Sequence, residues 1–300
     1  MTVTIREFRA ADAEGAAAAR VAGHPHLVTT PEVTAWQAGL PGFDVLVAER
    51  DRLIVGTARF GMVTDSATPG QAFLSVNVLP EERRRGAGAA LLRVAERELA
   101  GRGATHVGGW VDDEPSALAF AAAHGYRAGR RAHFASRDLT VELPPVPPAP
   151  AGVELRTAAD YLDDPYPVYL VDIDAARSEP GDLEMNDQGY EEWLAEIWQR
   201  PDLDHALTTV VVSGGEPVAF SAVQTDGAAR YWSSFTATRA AHRGRGLAKL
   251  AKTDSLHRAR AAGLTTAYTN NDATNAPMLA INTWLGYRRC ASEVKHSREL

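Results

Sequence analysis

The stretch Arg83-Arg84-Arg85-Gly86-Ala87-Gly88 follows a β-like run and opens a helix-like one. It returns as Arg243-Gly244-Arg245-Gly246-Leu247-Ala248. The copies are offset by 246 − 86 = 160 residues in a chain of 300. A strand that passes through an Arg/Gly turn into a helix leaves backbone N–H groups unpaired at the helix start. Together with the positive end of the helix dipole, those groups make a socket for phosphate oxygens. The same socket twice points to a duplicated binder of a nucleotide phosphate or of coenzyme A.

Working outward, other landmarks recur in the same order. An alternating stretch leads each half: Val3-Thr4-Ile5-Arg6 before Asp12, and Val153-Glu154-Leu155-Arg156 before Asp160. Hairpin-like pairs follow over 44–60, around Arg50-Asp51, and over 208–223, around Gly214-Gly215. After each Arg/Gly turn comes an amphipathic helix. In the first, Leu91, Leu92, Val94, Ala95 and Leu99 form the apolar stripe. In the second, Leu247, Leu250 and Ala251 face inward, which places Lys249 and Lys252 on the wet side. A last helix ends at Gly125-Tyr126 and at Gly286-Tyr287, an offset of 286 − 125 = 161.

Between the halves, residues 143–152 read LPPVPPAPAG. Prolines fix φ and lack an amide donor, so this segment is expected to be extended and to separate two domains, 1–142 and 153–300. Each half reads as strand, helix-rich connection, hairpin, strand, helix, strand, helix and final strand. That order predicts a mixed α/β (α+β) fold whose central, largely antiparallel sheet is flanked by helices.

Bulk properties narrow the partners. Hydrophobic residues make up 45% and charged residues 23%, an ordinary globular composition. A net charge of −7 argues against nucleic acid and anionic membrane. The single cysteine, Cys290, rules out an intrachain disulfide and is expected as a small packed side chain. The N-terminus has no signal-like apolar region, and no run is long enough to span a bilayer. A cytoplasmic location and no metal site are expected.

The two turns match the R-x-x-G-x-[G/A] signature of the GNAT superfamily of N-acetyltransferases. The stretches Val78-Leu79-Pro80 through RRRGAGAALL, and AHRGRGLAKLAK, resemble that family's strand, turn and helix. The closing Gly-Tyr pairs fit as well. Neither turn completes G-x-x-x-x-G-K-[S/T] or G-x-G-x-x-G. As a tandem pair, the chain is similar in architecture to mycothiol synthase-like proteins.

The resemblance implies acetyl-CoA as cofactor, with pantetheine lying between two splayed strands. Val76, Asn77 and Val78, and Thr236, Ala237 and Thr238, would offer it backbone groups. Arg83, Arg84, Arg85, Gly86, Ala87 and Gly88, and their counterparts Arg243, Gly244, Arg245, Gly246, Leu247 and Ala248, would hold the pyrophosphate. Transfer needs a neutral amine at the thioester, an N–H donor near the oxyanion and a proton source for the thiolate. Many members carry a Tyr acid four residues before the final glycine; here those positions are Ala121 and Asn282. Where the second half has Asn275, a residue common in the family, the first has Glu114.

These differences favour the second half as the catalytic one. Its candidates are Asn275 and Asn282, with turn and cap hydrogen bonding as the alternative for the asparagines of 268–275. Core packing is expected for Met278, Ile281 and Leu285. The connection 161–201 would shape the acceptor site. It holds Glu179, Asp182, Glu184 and Asp187, of which Glu184 is the candidate base, while Trp193 and Trp198 are expected to anchor a helix. The first half is read either as a cofactor binder without turnover or as a structural half. Three functions stay open: transfer to the amine of a small molecule, transfer to a protein amine, and acyl-CoA sensing without catalysis.

Overall fold

The computed structural model describes residues 2–177 and 182–300; Glu179 lies outside them. Two compact units emerge, Met1–Ala132 with Ala291–Leu300, and His133–Cys290. They are not simply the two halves of the chain. The proline-rich segment belongs to unit 2, held there by Leu143, which is buried beside Leu256, Leu285 and Tyr287. His257 Nε2 donates to the Pro144 carbonyl at 2.8 Å.

Unit 1 runs β1 (Thr4–Glu7), α1 (Ala13–Val21), α2 (Pro31–Gln37), β2 (Phe43–Arg50), β3 (Leu53–Met62), β4 (Gln71–Val78), α3 (Ala87–Gly101), β5 (His106–Asp112) and α4 (Pro115–Ala123). It then enters β6 (Arg127–Asp138). β1 to β4 pair antiparallel in sequence order, β4 meets β5 in parallel, and β5 takes residues 293–299 of the C-terminal strand antiparallel. Between β2 and β3, Asp51 and Arg52 take φ of +52° and +66°, the left-handed pair that a two-residue hairpin needs. The stripe expected on α3 covers the sheet: Leu91, Leu92, Ala95 and Leu99 pack on Leu46, Ala58, Phe60 and Leu74.

Unit 2 repeats the plan with β7 (Val153–Thr157), α5 (Tyr166–Ala176), α6 (Tyr190–Trp193), β8 (Thr209–Ser213), β9 (Glu216–Thr225), β10 (Arg230–Thr238), α7 (Leu247–Ala261), β11 (Thr266–Asp272) and α8 (Ala276–Trp284). β12 (Arg288–Glu299) begins there. β7 to β10 pair antiparallel in order and β10 meets β11 in parallel. A π turn over Leu194–Trp198 extends α6. Trp193 and Trp198 are buried and stack with centroids 5.4 Å apart, and Trp193 Nε1 donates to Asp172 of α5 at 2.7 Å. These tryptophans anchor α6, as expected.

Two expectations fail. Lys252 is 1% exposed, not on the wet side. The face of α7 that meets the sheet also buries Thr253 and Ser255, so apolar periodicity alone misjudged which side is inside. Cys290 is exposed, not packed. Leu285 is fully buried, with Ile281 packed beside it. Among the described residues, no helix is long and apolar enough to cross a membrane.

Candidate active site

Each unit opens a wedge in its sheet at the same step. β4 and β5 pair through Gln71/His106, Ala72/Val107 and Phe73/Gly108, and then part. β10 and β11 pair from Arg230/Thr266 to Ser233/Thr269, and then part. Beyond those rungs, among the described residues, Leu74–Val78 and Phe235–Thr238 are paired on one edge only, to β3 and β9. An unpaired strand edge is a row of amide donors and acceptors waiting for an extended partner. Val76, Asn77 and Val78, and Thr236, Ala237 and Thr238, lie along these edges.

The wedge edges end at the Arg/Gly turns. Arg83 Nε donates to the Val78 carbonyl and Arg243 Nε to the Thr238 carbonyl, both at 3.1 Å. The first arginine of each turn therefore ties the turn to its strand. Left-handed backbone then alternates: Arg84 at +62° and Gly86 at +90°, Gly244 at +75° and Gly246 at +77°. Gly86 and Gly246 are the N-caps of α3 and α7, and no side chain caps either helix start. A Cβ built on Gly86, Gly244 or Gly246 meets nothing within 4 Å. An open hollow at an uncapped helix start fits a pyrophosphate. Ala87 and Leu247 turn inward, and Gly88 sits close to Phe120.

The units differ in detail. In unit 1, Glu82 pairs with both Arg50 and Arg85, drawing negative charge to the turn. Unit 2 has His242 at that step, 3.0 Å from Arg245. The β3–β4 ladder runs without interruption, whereas β10 slips register between Ser233 and Phe235, a bulge beside the wedge opening. In unit 1, a Cβ on Gly109 would fall 2.1 Å from the Leu74 carbonyl oxygen, so β4 and β5 stay close just past their last rung. The equivalent step of unit 2 carries Thr269.

On the other side of β11 from the wedge, a cavity of about 210 Å³ is walled by β6, α8 and the start of β12, including His133, Asn271, Asn282, Tyr287 and Arg289. Asn282 is 4% exposed; its Nδ2 donates to Asn271 Oδ1 at 2.6 Å, and its own Oδ1 has no partner among the described residues. Asn275 has a different occupation: its Oδ1 accepts from Met278 N at 3.3 Å as the N-cap of α8. Glu184 is exposed and is not part of the cavity wall. Asp187 pairs with Arg177. The structure thus joins Asn282 to the cavity and leaves Asn275 and Glu184 apart from it.

Two groups escaped the sequence reading. In unit 1, buried His24 donates from Nε2 to Asp112 Oδ2 at 2.6 Å, at the end of β5, and His26 lies edge-on to it. The hydrogen bond to Asp112 raises the pKa of His24 against the effect of burial, while burial lowers that of His26. In unit 2, Lys252 Nζ donates to Thr269 Oγ1 at 3.2 Å. Setting the two repeats side by side would have flagged this lysine, because the matching position, 252 − 160, is Leu92.

Comparison with known proteins accords with this architecture. The family model of the acetyltransferase (GNAT) family matches residues 14–126 and again 168–287. A mycothiol acetyltransferase of Nocardioides sp. is 29% identical over 229 residues, 72% of this chain and 76% of that protein. One from Catenulispora acidiphila is 28% identical over 228 residues, 74% of this chain and 70% of that protein. A tandem GNAT protein from the clavulanic acid biosynthesis pathway superposes with a TM-score of 0.75 at 21% identity, covering 99% of this chain and 98% of that one. A GCN5-related N-acetyltransferase from Sphaerobacter thermophilus gives 0.73 at 23%, covering 99% and 95%. With its family pattern found twice, the chain belongs to the GNAT family of acetyltransferases.

Proposed function

We propose that unit 2 is the catalytic half and moves an acetyl group from acetyl-CoA to a primary amine of a small molecule. One observation carries the reading: the free edge of β10 beyond Ser233 leads to the open, glycine-framed start of α7. Acetyl-CoA would bring an acyl group already activated as a thioester. The N–H groups at the start of α7 hold its pyrophosphate, with Arg245 adding charge, and the edge of 234–238 supplies main-chain hydrogen bonds. The bulge at Ser234 breaks the regular alternation of that edge beside the wedge opening, where an oxyanion donor is needed. Asn282, whose buried Oδ1 is unpartnered among the described residues, is assigned a hydrogen bond that orients the acceptor. Glu184 is assigned the removal of a proton from the acceptor ammonium through solvent. The name of the similar mycothiol acetyltransferases favours a small acceptor over a protein one.

Unit 1 is proposed to bind the cofactor without turnover or to serve as a structural half. Glu82 at its turn and Ala121 in place of an acid both favour that reading. The test is a panel of amines with release of free thiol as the signal. Amine-dependent release should vanish in Arg243→Ala/Gly246→Val and persist in Gly86→Val. Unchanged release in the double variant would refute the assignment to unit 2. Binding without amine-dependent release in the unaltered protein would identify a sensor.

A further inference from the structure

Lys252 is a buried amine with little to satisfy it. Its Nζ reaches a single hydrogen-bond partner among the described residues, Thr269 Oγ1. Thr269 in turn donates to the Ser233 carbonyl at 3.4 Å. Ser233 and Thr269 form the last rung before β10 and β11 part. The amine therefore sits at the closed end of the wedge.

Among the described residues, no carboxylate pairs with it. The Tyr287 ring, from the segment after α8, lies with its centroid 5.3 Å from Nζ. From β10, Tyr231 bonds Ser255 of α7 at 2.9 Å. Arg137 of β6 lies against Gly286. No carboxylate from these elements pairs with Lys252. Among the described residues, the Tyr287 hydroxyl is buried without a partner. An amine held out of water with no carboxylate is costly, and the leucine at the matching place in unit 1 shows that the fold does not need it.

We propose that Lys252 is the counter-ion of the coenzyme A thiolate in unit 2, which takes a proton as the acyl group leaves. The inference rests on unit 2 being the cofactor-binding, transferring half. In the step, the acceptor nitrogen bonds to the carbonyl carbon and the C–S bond breaks, its electron pair staying on sulfur. The proton shed by the acceptor nitrogen passes to neutral Nζ, so that ammonium faces thiolate. When coenzyme A departs as the thiol it carries that proton away, and Lys252 returns to its neutral form. Burial pushes the lysine pKa down to about 7, so the neutral amine is well populated at and above neutral pH. A bound thiol can hand its proton to the neutral Nζ, and in the ammonium–thiolate pair so formed the opposite charge at close range favours the thiolate by about 1–3 units.

The experiment follows the ultraviolet absorbance of the thiolate as coenzyme A bound to the protein is titrated with base, in a Gly86→Val background that confines the ligand to unit 2. The bound thiol should titrate about 1–3 units below free coenzyme A. In Lys252→Met, or in Lys252→Leu, which restores the residue of unit 1, it should titrate like the free thiol. Acetyl-CoA, which has no ionisable sulfur, should bind these variants as before. Equal thiol titration with and without Lys252, both proteins being loaded, would overturn the proposal. Failure of the unit 2 reading looks different: coenzyme A would not bind in the Gly86→Val background at all.

Discussion

Arg84 and Gly244 stand at the same step of the two turns and share a left-handed backbone, with φ of +62° and +75°. For an arginine, that conformation costs about 1–2 kcal/mol; for glycine it is unstrained. Arg84→Gly should therefore stabilise unit 1 by about 0.5–1 kcal/mol once the extra freedom of the unfolded chain is discounted. Gly244→Ala should destabilise unit 2 by about 1 kcal/mol. Urea midpoints measured at an unchanged slope check both. A lower midpoint for Arg84→Gly would mean that Arg84 makes a contact worth more than its strain.

Asn275 separates a structural role from a chemical one. As the N-cap of α8 it bonds Met278 N, and loss of such a cap costs about 1 kcal/mol. Asn275→Ala should lower stability by that amount, Asn275→Asp should largely restore it, and turnover under stable conditions should change little. A fall in turnover of about 100-fold or more at full folding, the scale of a lost oxyanion donor, would return Asn275 to the chemistry.

The pair His24–Asp112 gives unit 1 a pH dependence of definite sign. The folded state raises the pKa of His24, chiefly through the hydrogen bond to Asp112. Burial lifts the Asp112 carboxyl, yet His24 and its neighbours hold it below the usual value. The histidine's contribution is complete below its unfolded pKa of about 6.5 and fades as pH rises through the raised folded value. The carboxylate's contribution is lost as pH falls through its lowered value. The stability lost in His24→Gln should thus be greatest between about pH 4 and 6.5 and shrink in mild alkali. Denaturant unfolding across that range tests it, with His24→Gln/His26→Gln compared against His26→Gln to remove the coupled titration of His26. A loss that grows with pH would show that His24 acts through packing.

Much of the frame was legible because it is local. The Arg/Gly turns, the prolines and the hairpin pairs each restrict φ at known positions, and they recur at nearly constant spacing. The partition of the α7 surface was not legible, because Lys252 and Thr253 read as polar and local pattern cannot show that a sheet lies over them. Asn275 and Asn282 looked alike in sequence, yet one caps a helix and the other meets a cavity. That difference depends on Asn271, eleven residues before Asn282 and across a strand-to-helix turn. His24 and Asp112 are 88 residues apart, and only the folded sheet brings them together.

Lys252 also leaves a mark on stability that needs no cofactor. Its folded pKa is down to about 7, while an unfolded lysine titrates near 10.4. Between those values the unfolded chain holds a proton that the folded unit does not, so stability rises with pH, by up to about 1.4 kcal/mol per unit. With Trp36 and Trp110 of unit 1 replaced by Phe, tryptophan emission reports the unfolding of unit 2. Followed from neutral pH to about pH 9, its denaturation midpoint should climb relative to that of Lys252→Met, which removes the titration. The methionine variant should be the more stable of the two near neutral pH and lose that advantage in alkali. Parallel pH profiles for the two proteins would show that Lys252 keeps an ordinary pKa and is reached by water.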